Sequence, residues 1–139
     1  MNNTILKMEL ITPERVVLAK EVLSVTVPGS EGDFGVLPGH SPFLSNIRAG
    51  EVIVEGADAT THLAVSGGIA EVLPERVTLL VDQALARENM DGNLIAQAIQ
   101  DLSKRLASLP EGEAEYNLVA RRLAFEEACQ DILNRKNQA

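Results

Sequence analysis

Residues 27–50 read VPGSEGDFGVLPGHSPFLSNIRAG, and their turn residues are the strongest indication of the fold. Short apolar runs in it are interrupted by five glycines and three prolines, namely Gly29, Gly32, Gly35, Gly39, Gly50, Pro28, Pro38 and Pro42. Glycine adopts positive φ without steric cost, whereas proline fixes φ and removes a hydrogen-bond donor. The backbone must therefore turn sharply at several defined places, which is typical of short strands joined by tight turns.

The same pattern of short apolar runs and turn residues continues on both sides of this stretch, from residue 1 to about residue 87. Many short strands with frequent turns favour an antiparallel β-sandwich or a flattened barrel. The whole chain contains only three Phe, one Tyr and no Trp. We therefore expect Val, Leu and Ile to fill the core of this β-domain, residues 1–87.

The hydrophobic period changes after Arg87. From Asp91 onward the apolar residues recur three and four positions apart, at Leu94, Ile95, Ala98, Ile99, Leu102, Leu106 and Leu109. This spacing predicts one stripe of an amphipathic helix, for which Asp91 is suited as the N-cap. Pro110 and Gly112 end the pattern, and a second helix is predicted from about Glu113 to Arg135. Residues 88–139 are thus expected to form an α-helical hairpin.

The second predicted helix has apolar residues on two nearly opposite sides. One side carries Tyr116, Val119, Ala120 and Leu123, and the other carries Leu118, Phe125, Cys129 and Ile132. Two helices alone bury too little apolar surface to offset the entropy of ordering them. We therefore expect the hairpin to dock on the sandwich, on another subunit, or on each in turn, as a conformational switch requires.

Charge and composition exclude several classes of protein. With 20 acidic and 12 basic residues the net charge is −8 and the pI is about 4.7, which argues against a nucleic-acid partner. The single Cys129 excludes an intramolecular disulfide. No run approaches the ~18 apolar residues of a membrane span, and the N-terminus lacks a signal-peptide layout. A cytosolic protein, or one peripheral to a membrane, is expected.

Two other classes of function are alternatives, namely a small hydrolase and a carbohydrate-binding sandwich. A small hydrolase could use Glu31 or Asp33 with His40, but the sequence has no nucleophile elbow and no cluster of metal ligands. A carbohydrate-binding sandwich would need aromatic rings for stacking, of which this chain has few. Gly67 and Gly68 are followed by no P-loop lysine, so a tight turn or a close backbone contact is the better interpretation.

The paired segments SEGDFGVLPGHSPFLSNIRAG, residues 30–50, and SGGIAEVLPERVTLLVDQALA, residues 66–86, resemble the epsilon subunit of F-type ATP synthases, the bacterial counterpart of mitochondrial delta. The resemblance implies a ten-stranded β-sandwich followed by two helices. It implies a non-catalytic rotor subunit without a cofactor, which couples proton translocation through the c-ring to ATP synthesis. The implied location is peripheral, at the cytoplasmic face of the bacterial inner membrane.

The resemblance also implies the partners of this chain. The sandwich would bind the gamma subunit and sit on the c-ring, with His40 near gamma. Four residues of one turn would face the polar loops of the c-ring, namely Ser30, Glu31, Gly32 and Asp33. Taken without the resemblance, this turn is more simply a solvated acidic turn, and His40 a surface or structural histidine.

The helices of such a subunit can extend and restrain ATP hydrolysis by the alpha and beta subunits. Basic residues of the extended helices would meet an acidic segment of beta, a role assigned here to Arg121 and Arg122. The plainer interpretation is that both arginines belong to the solvated face of a helix and pair with nearby acids.

One departure from the family concerns nucleotide binding. Some members bind ATP through an Ile/Leu-Asp-x-x-Arg-Ala motif at the start of the first helix, where this chain reads Met90-Asp91-Gly92-Asn93-Leu94-Ile95. The acid is kept, but a leucine takes the place of the arginine. Because the guanidinium supplies the bidentate phosphate contact, weak or no ATP binding is expected.

Overall fold

The computed structural model describes residues 5–137, which form ten strands followed by two helices. The strands are β1 Leu6–Ile11, β2 Val16–Val22, β3 Ser24–Gly29, β4 Gly32–Val36, β5 Phe43–Ile47, β6 Gly50–Glu55, β7 Thr60–Val65, β8 Gly68–Leu73, β9 Arg76–Val81 and β10 Ala84–Ala86. A short 3₁₀ turn at Arg87–Asn89 leads to α1, Gly92–Ala107, and α2, Ala114–Asn137.

The strands form one sheet that folds over on itself in the order β10-β7-β6-β3-β5-β8-β9-β1-β2, with β4 paired to β3. The predicted β-sandwich followed by a helical hairpin is confirmed. One pair departs from the expected antiparallel arrangement, because β1 and β9 run parallel. These strands are far apart in the sequence, so no hairpin turn fixes their relative direction.

The core lies between the two halves of the folded sheet. Alternate residues of the strands point inward, as Leu6, Met8 and Leu10 do in β1, and all three are almost fully buried. The expected aliphatic core is confirmed, since valine, leucine and isoleucine dominate it and Phe34 only packs at its edge. The division into units 1–87 and 88–139 remains a prediction.

Gly68 marks a close backbone approach between the neighbouring strands β8 and β9. A Cβ atom at this position would lie 2.0 Å from the carbonyl oxygen of Leu80 on the neighbouring strand β9. Only a residue without a side chain allows that approach. The close backbone contact expected at Gly67 and Gly68 is therefore confirmed at Gly68.

The hairpin lies against the outer face of β6 and β7. Asp91 caps α1 as predicted, because its Oδ1 accepts hydrogen bonds from the backbone N–H groups of Asn93 and Leu94. A second apolar cluster joins both helices to strand β7. It contains the buried residues Ala64, Ile95, Phe125, Cys129 and Ile132.

The two apolar sides of α2 are used differently. Tyr116 and Leu123 face a hollow beside α1, which confirms that one side meets the first helix. Phe125, Cys129 and Ile132, on the other side, are buried in the contact with the sheet. Leu118 does not share that contact and is 52% exposed. Only the C-terminal half of α2 therefore uses its second apolar side against the sandwich.

Candidate functional site

The turn between β3 and β4 carries the first predicted group of site residues. Ser30 and Glu31 form its tip and are exposed, while Gly32 adopts a φ of +132° that favours glycine. The backbone N–H of Ser30 donates to the carbonyl of Asn46 at 2.9 Å, which ties the turn to β5. The structure thus presents the Glu31 carboxylate on a fixed, outward-facing loop.

Asp33 differs from Glu31 because it has a partner within the chain. Arg48 donates from Nη2 to the Asp33 carboxylate, and both side chains are more than 45% exposed, at 47% and 61%. Surface ion pairs of this kind contribute little to stability. Asp33 is therefore held in place by a weak surface ion pair.

His40 lies in the loop that follows β4, at the end of that strand remote from the turn just described. Its Nδ1–H donates to the carbonyl oxygen of Ser41 at 2.7 Å, and its ring centroid lies 6.3 Å from that of Phe43. The adjoining Gly39 N–H donates to the carbonyl of Pro74 at 2.7 Å, which fixes the loop on the β8–β9 turn. His40 is thus a well-positioned loop residue.

These contacts argue against the hydrolase alternative. The Asp33 carboxylate is engaged by Arg48, and the His40 imidazole is engaged by Ser41, so the two groups do not form an acid–base pair. Among residues 5–137 no group of three or more His, Cys, Asp or Glu side chains is arranged to hold a metal ion.

No helix of the described segment is both long and apolar enough to cross a bilayer.

Arg121 and Arg122 are both exposed on α2. Arg122 lies at a hollow between the helices and is near Glu126, whose pKa it acts to lower. Desolvation is the stronger influence on Glu126, so the pKa of this carboxyl is raised overall. Neither arginine is paired with the turn at Ser30 or with His40, so the structure keeps the three predicted groups apart.

The outer face of the sheet formed by β1, β2, β8 and β9 carries an apolar row that sequence reasoning missed. The strand register places Val16, Ile11, Leu80 and Ile69 side by side across β2, β1, β9 and β8. Leu44 on β5 lies diagonally beside Ile69, with 69% of its surface exposed. The signal was the pair of adjacent leucines Leu79 and Leu80 in β9, which face opposite sides of the sheet.

A charged cluster joins the sandwich to the end of α2, and sequence reasoning missed it too. Glu51 on β6 accepts hydrogen bonds from His62 Nδ1–H, at 2.7 Å, and from Arg135 Nη2. The cluster lies at a groove of about 740 Å³ between the sandwich and α2, which Asp33 and Arg48 also line. No local sequence pattern marks these partners, because Glu51 and Arg135 are 84 positions apart.

Cys129 is buried between α2 and the sheet, and it is not a nucleophile in this arrangement. Desolvation, and secondarily the charge of Glu126, raises the pKa of its thiol to about 12. A reactive cysteine requires the opposite shift, toward the thiolate at neutral pH. Cys129 is thus an apolar packing residue on the side of α2 that meets the sheet.

Residues 5–137 thus define a β-sandwich protein, in which ten strands are followed by a docked helical hairpin. The family model for the β-sandwich domain of the ATP synthase delta/epsilon chain matches residues 5–87. The chain is 43% identical over 121 residues to the ATP synthase epsilon chain of Magnetococcus marinus, covering 87% of this chain and 88% of that one. The chain therefore belongs to the ATP synthase epsilon chain family.

A second relative and one solved structure are also similar to this chain. The ATP synthase epsilon chain of Maricaulis maris is 37% identical over 127 residues, which is 91% of this chain and 95% of the relative. A chain in the OSCP/F1/c-ring structure of Euglena gracilis mitochondrial ATP synthase has the same fold, with a TM-score of 0.81 at 23% identity. The match covers 94% of this chain and 82% of the Euglena gracilis chain. Family membership confirms the expected non-catalytic class.

Proposed function

We propose that this chain is a central-stalk (rotor) subunit of an F-type ATP synthase. It couples proton translocation through the c-ring to ATP synthesis by binding gamma, and its C-terminal helices restrain ATP hydrolysis. The observation that carries this proposal is the alignment with epsilon chains, which is longer than the sandwich and so includes part of the hairpin. The complex would be peripheral to the membrane, at the cytoplasmic face of the bacterial inner membrane.

The gamma subunit would bind the sandwich along the apolar row and the adjoining loop with His40. In support, Leu80 is 50% exposed and Ile69 46% exposed on a sheet face that the hairpin leaves uncovered. An exposed apolar patch on a stiff sheet is typical of a protein-binding surface. His40 would add a polar contact at the edge of that surface.

Co-expression with gamma tests this interface. Because Leu80 points outward, Leu80→Asp should leave the thermal stability of the sandwich nearly unchanged and abolish co-purification with gamma. Leu23→Asp is the matched control, since Leu23 is also an exposed leucine, at 43%, but lies outside the apolar row. Equal recovery of gamma with both variants would contradict the proposed surface.

The turn at Ser30, Glu31, Gly32 and Asp33 would contact the polar loops of the c-ring. Its exposed carboxylates can accept charge-assisted hydrogen bonds from basic side chains. Glu31→Gln in the assembled enzyme should weaken the coupling of proton flow to ATP synthesis while gamma stays bound. Unchanged coupling would remove the turn from this role.

Arg121 and Arg122 would contact the beta subunit when the hairpin is extended toward alpha and beta. Their exposure on the docked hairpin is compatible with a role in a second conformation. Replacing both with alanine should raise ATP hydrolysis by the assembled enzyme. Hydrolysis that stays equally restrained would count against these two residues but leave the rotor assignment intact.

A further inference from the structure

We propose that Glu51 controls the docking of the hairpin: its carboxylate allows α2 to lie on the sheet only when Arg135, near the end of α2, reaches it. This inference rests on the proposed function only for the consequence of release, namely that a released hairpin is free to contact other subunits. The docking step itself belongs to the isolated chain. Its test is therefore separate from the tests of gamma binding and hydrolysis.

The strand register places Glu51 on the face that α2 covers. In β6 and β7 the residues Val52 and Leu63 point into the sandwich core, whereas Glu51 and its cross-strand partner Ala64 point outward. Ala64 is fully buried in the contact with the hairpin. Glu51 thus lies beside a fully buried residue of the docking surface, at the edge of the groove between the sandwich and α2.

Docking leaves the Glu51 side chain only 13% exposed. A carboxylate that loses its water needs donors or a cation in exchange. His62, two residues along the neighbouring strand, supplies one hydrogen bond from within the sandwich. Arg135 supplies the other, and in the described segment it is the one residue of the hairpin that forms an ion pair with the sandwich.

The surrounding charges increase the need for Arg135. Glu127 and Asp131 of α2 line the same groove, so docking brings two further carboxylates toward Glu51. Arg48, the other guanidinium at the groove, is already paired with Asp33. Without Arg135, the hairpin would place a desolvated carboxylate near like charges, which opposes docking.

The position of Arg135 near the end of α2 links its ion pair with Glu51 to the folding of the last helical turns. Its Nε donates to the carbonyl of Asp131 at 3.3 Å, one helical turn earlier, so the last turns of the helix hold the side chain that reaches Glu51. Fraying of those turns would withdraw the cation and leave the carboxylate behind. The hairpin would then release although the apolar side chains of Cys129 and Ile132 are unchanged.

Cys129 provides a direct measurement of release in the full chain. It is the only cysteine in the 139 residues and is fully buried under the docked hairpin. A soluble aromatic disulfide reagent can reach its sulfur only when the hairpin opens. When reclosing is faster than labelling, the labelling rate is proportional to the open population.

Four variants decide the proposal. Arg135→Gln should accelerate labelling on the order of tenfold, an effect between those of a surface pair and a fully buried pair. In the Glu51→Gln background the same change should alter the rate by less than about twofold, because no carboxylate is left to neutralise. Lys104→Gln, which removes a charge from an exposed site on α1, is the control and should match the wild type.

A circular-dichroism melt of the sheet accompanies each labelling measurement. Release of the hairpin leaves the melting temperature of the sheet unchanged, whereas destabilisation of the sandwich lowers it. Two results would overturn the proposal: labelling of Arg135→Gln at the wild-type rate, or an equal acceleration by Arg135→Gln with and without Glu51. A lowered sheet melt that accompanies faster labelling in both backgrounds would overturn it as well.

Discussion

The sandwich and the hairpin are built on different principles. In the sandwich, inward-facing residues of every long strand share one aliphatic core, so each strand depends on the rest. In the hairpin, the largest buried side chains pack on Ala64 and Leu85, which belong to the sandwich. The sandwich core is therefore complete without the hairpin, whereas the hairpin buries its largest side chains only with help from the sandwich. A stiff body and a releasable arm are what the proposed rotor function needs.

The largest effect is expected where the sheet backbones approach most closely. Gly68→Ala would place a Cβ atom 2.0 Å from the Leu80 carbonyl, so β8 and β9 must separate. We expect a loss of about 3 kcal/mol or more in the free energy of unfolding, measured by urea denaturation. Gly35→Ala is the matched control, because a Cβ there meets nothing within 4 Å. Similar losses for both variants would contradict the explanation.

The next effect should distinguish the hairpin from the sandwich. Ile132→Ala removes a nearly fully buried side chain from the docking contact, which should destabilise the docked hairpin by about 2–3 kcal/mol. Trypsin cleavage after Arg121 or Arg122 should accelerate while the sheet melts at the same temperature. Leu118→Ala, on the exposed side of the same helix, should leave cleavage nearly unchanged. A lowered sheet melt with Ile132→Ala would mean that the two regions unfold together.

A smaller effect is expected at the start of α1. Asp91→Ala removes the side-chain oxygen that accepts from Asn93 and Leu94, at a cost of about 1 kcal/mol to the helix. Hydrogen exchange should become faster at the first turn of α1 and stay unchanged in β1 and β9. Asp91→Asn keeps a capping oxygen and should restore most of the protection.

The smallest effect concerns Glu126 and depends on pH. Desolvation raises the pKa of this carboxyl above 4.5 in the folded protein, so the folded state binds the proton more tightly than the unfolded state. Stability associated with Glu126 must therefore fall as the pH rises through the region just above 4.5. Glu126→Gln should stabilise the protein at pH 7 by up to about 0.5 kcal/mol, as for other half-exposed sites. The gain should disappear near pH 4, and a constant difference in thermal melts at both pH values would contradict the sign.

Local patterns in the sequence predicted most of the architecture. Alternating strands between glycine- and proline-rich turns, the Asp91 cap and the two apolar sides of α2 are set by neighbours in the chain, and the structure contains them. The parallel pair of β1 and β9 was missed, because pairing between distant strands leaves no local mark. The predicted interface residues stay predictions, since their partners are other proteins.

The groups that connect the two regions were the least predictable from sequence. Glu51 and His62 sit on strands whose alternation shows only that they point away from the core. Nothing in the sequence indicates that Arg135 meets them, because that contact arises when α2 lies across β6 and β7. Such long-range polar contacts require the three-dimensional arrangement.

Native-state hydrogen exchange on the isolated full chain shows whether the hairpin can leave the sandwich while the sandwich stays folded. Amides of α2 and of the core strands β6 and β9 are followed at increasing, sub-denaturing urea concentrations. We expect the α2 amides to open together at a lower free energy, with a weaker urea dependence, than the strands. One opening free energy and one urea dependence shared by helix and strand amides would show that the hairpin is not separately releasable, which would contradict the proposed separation of body and arm.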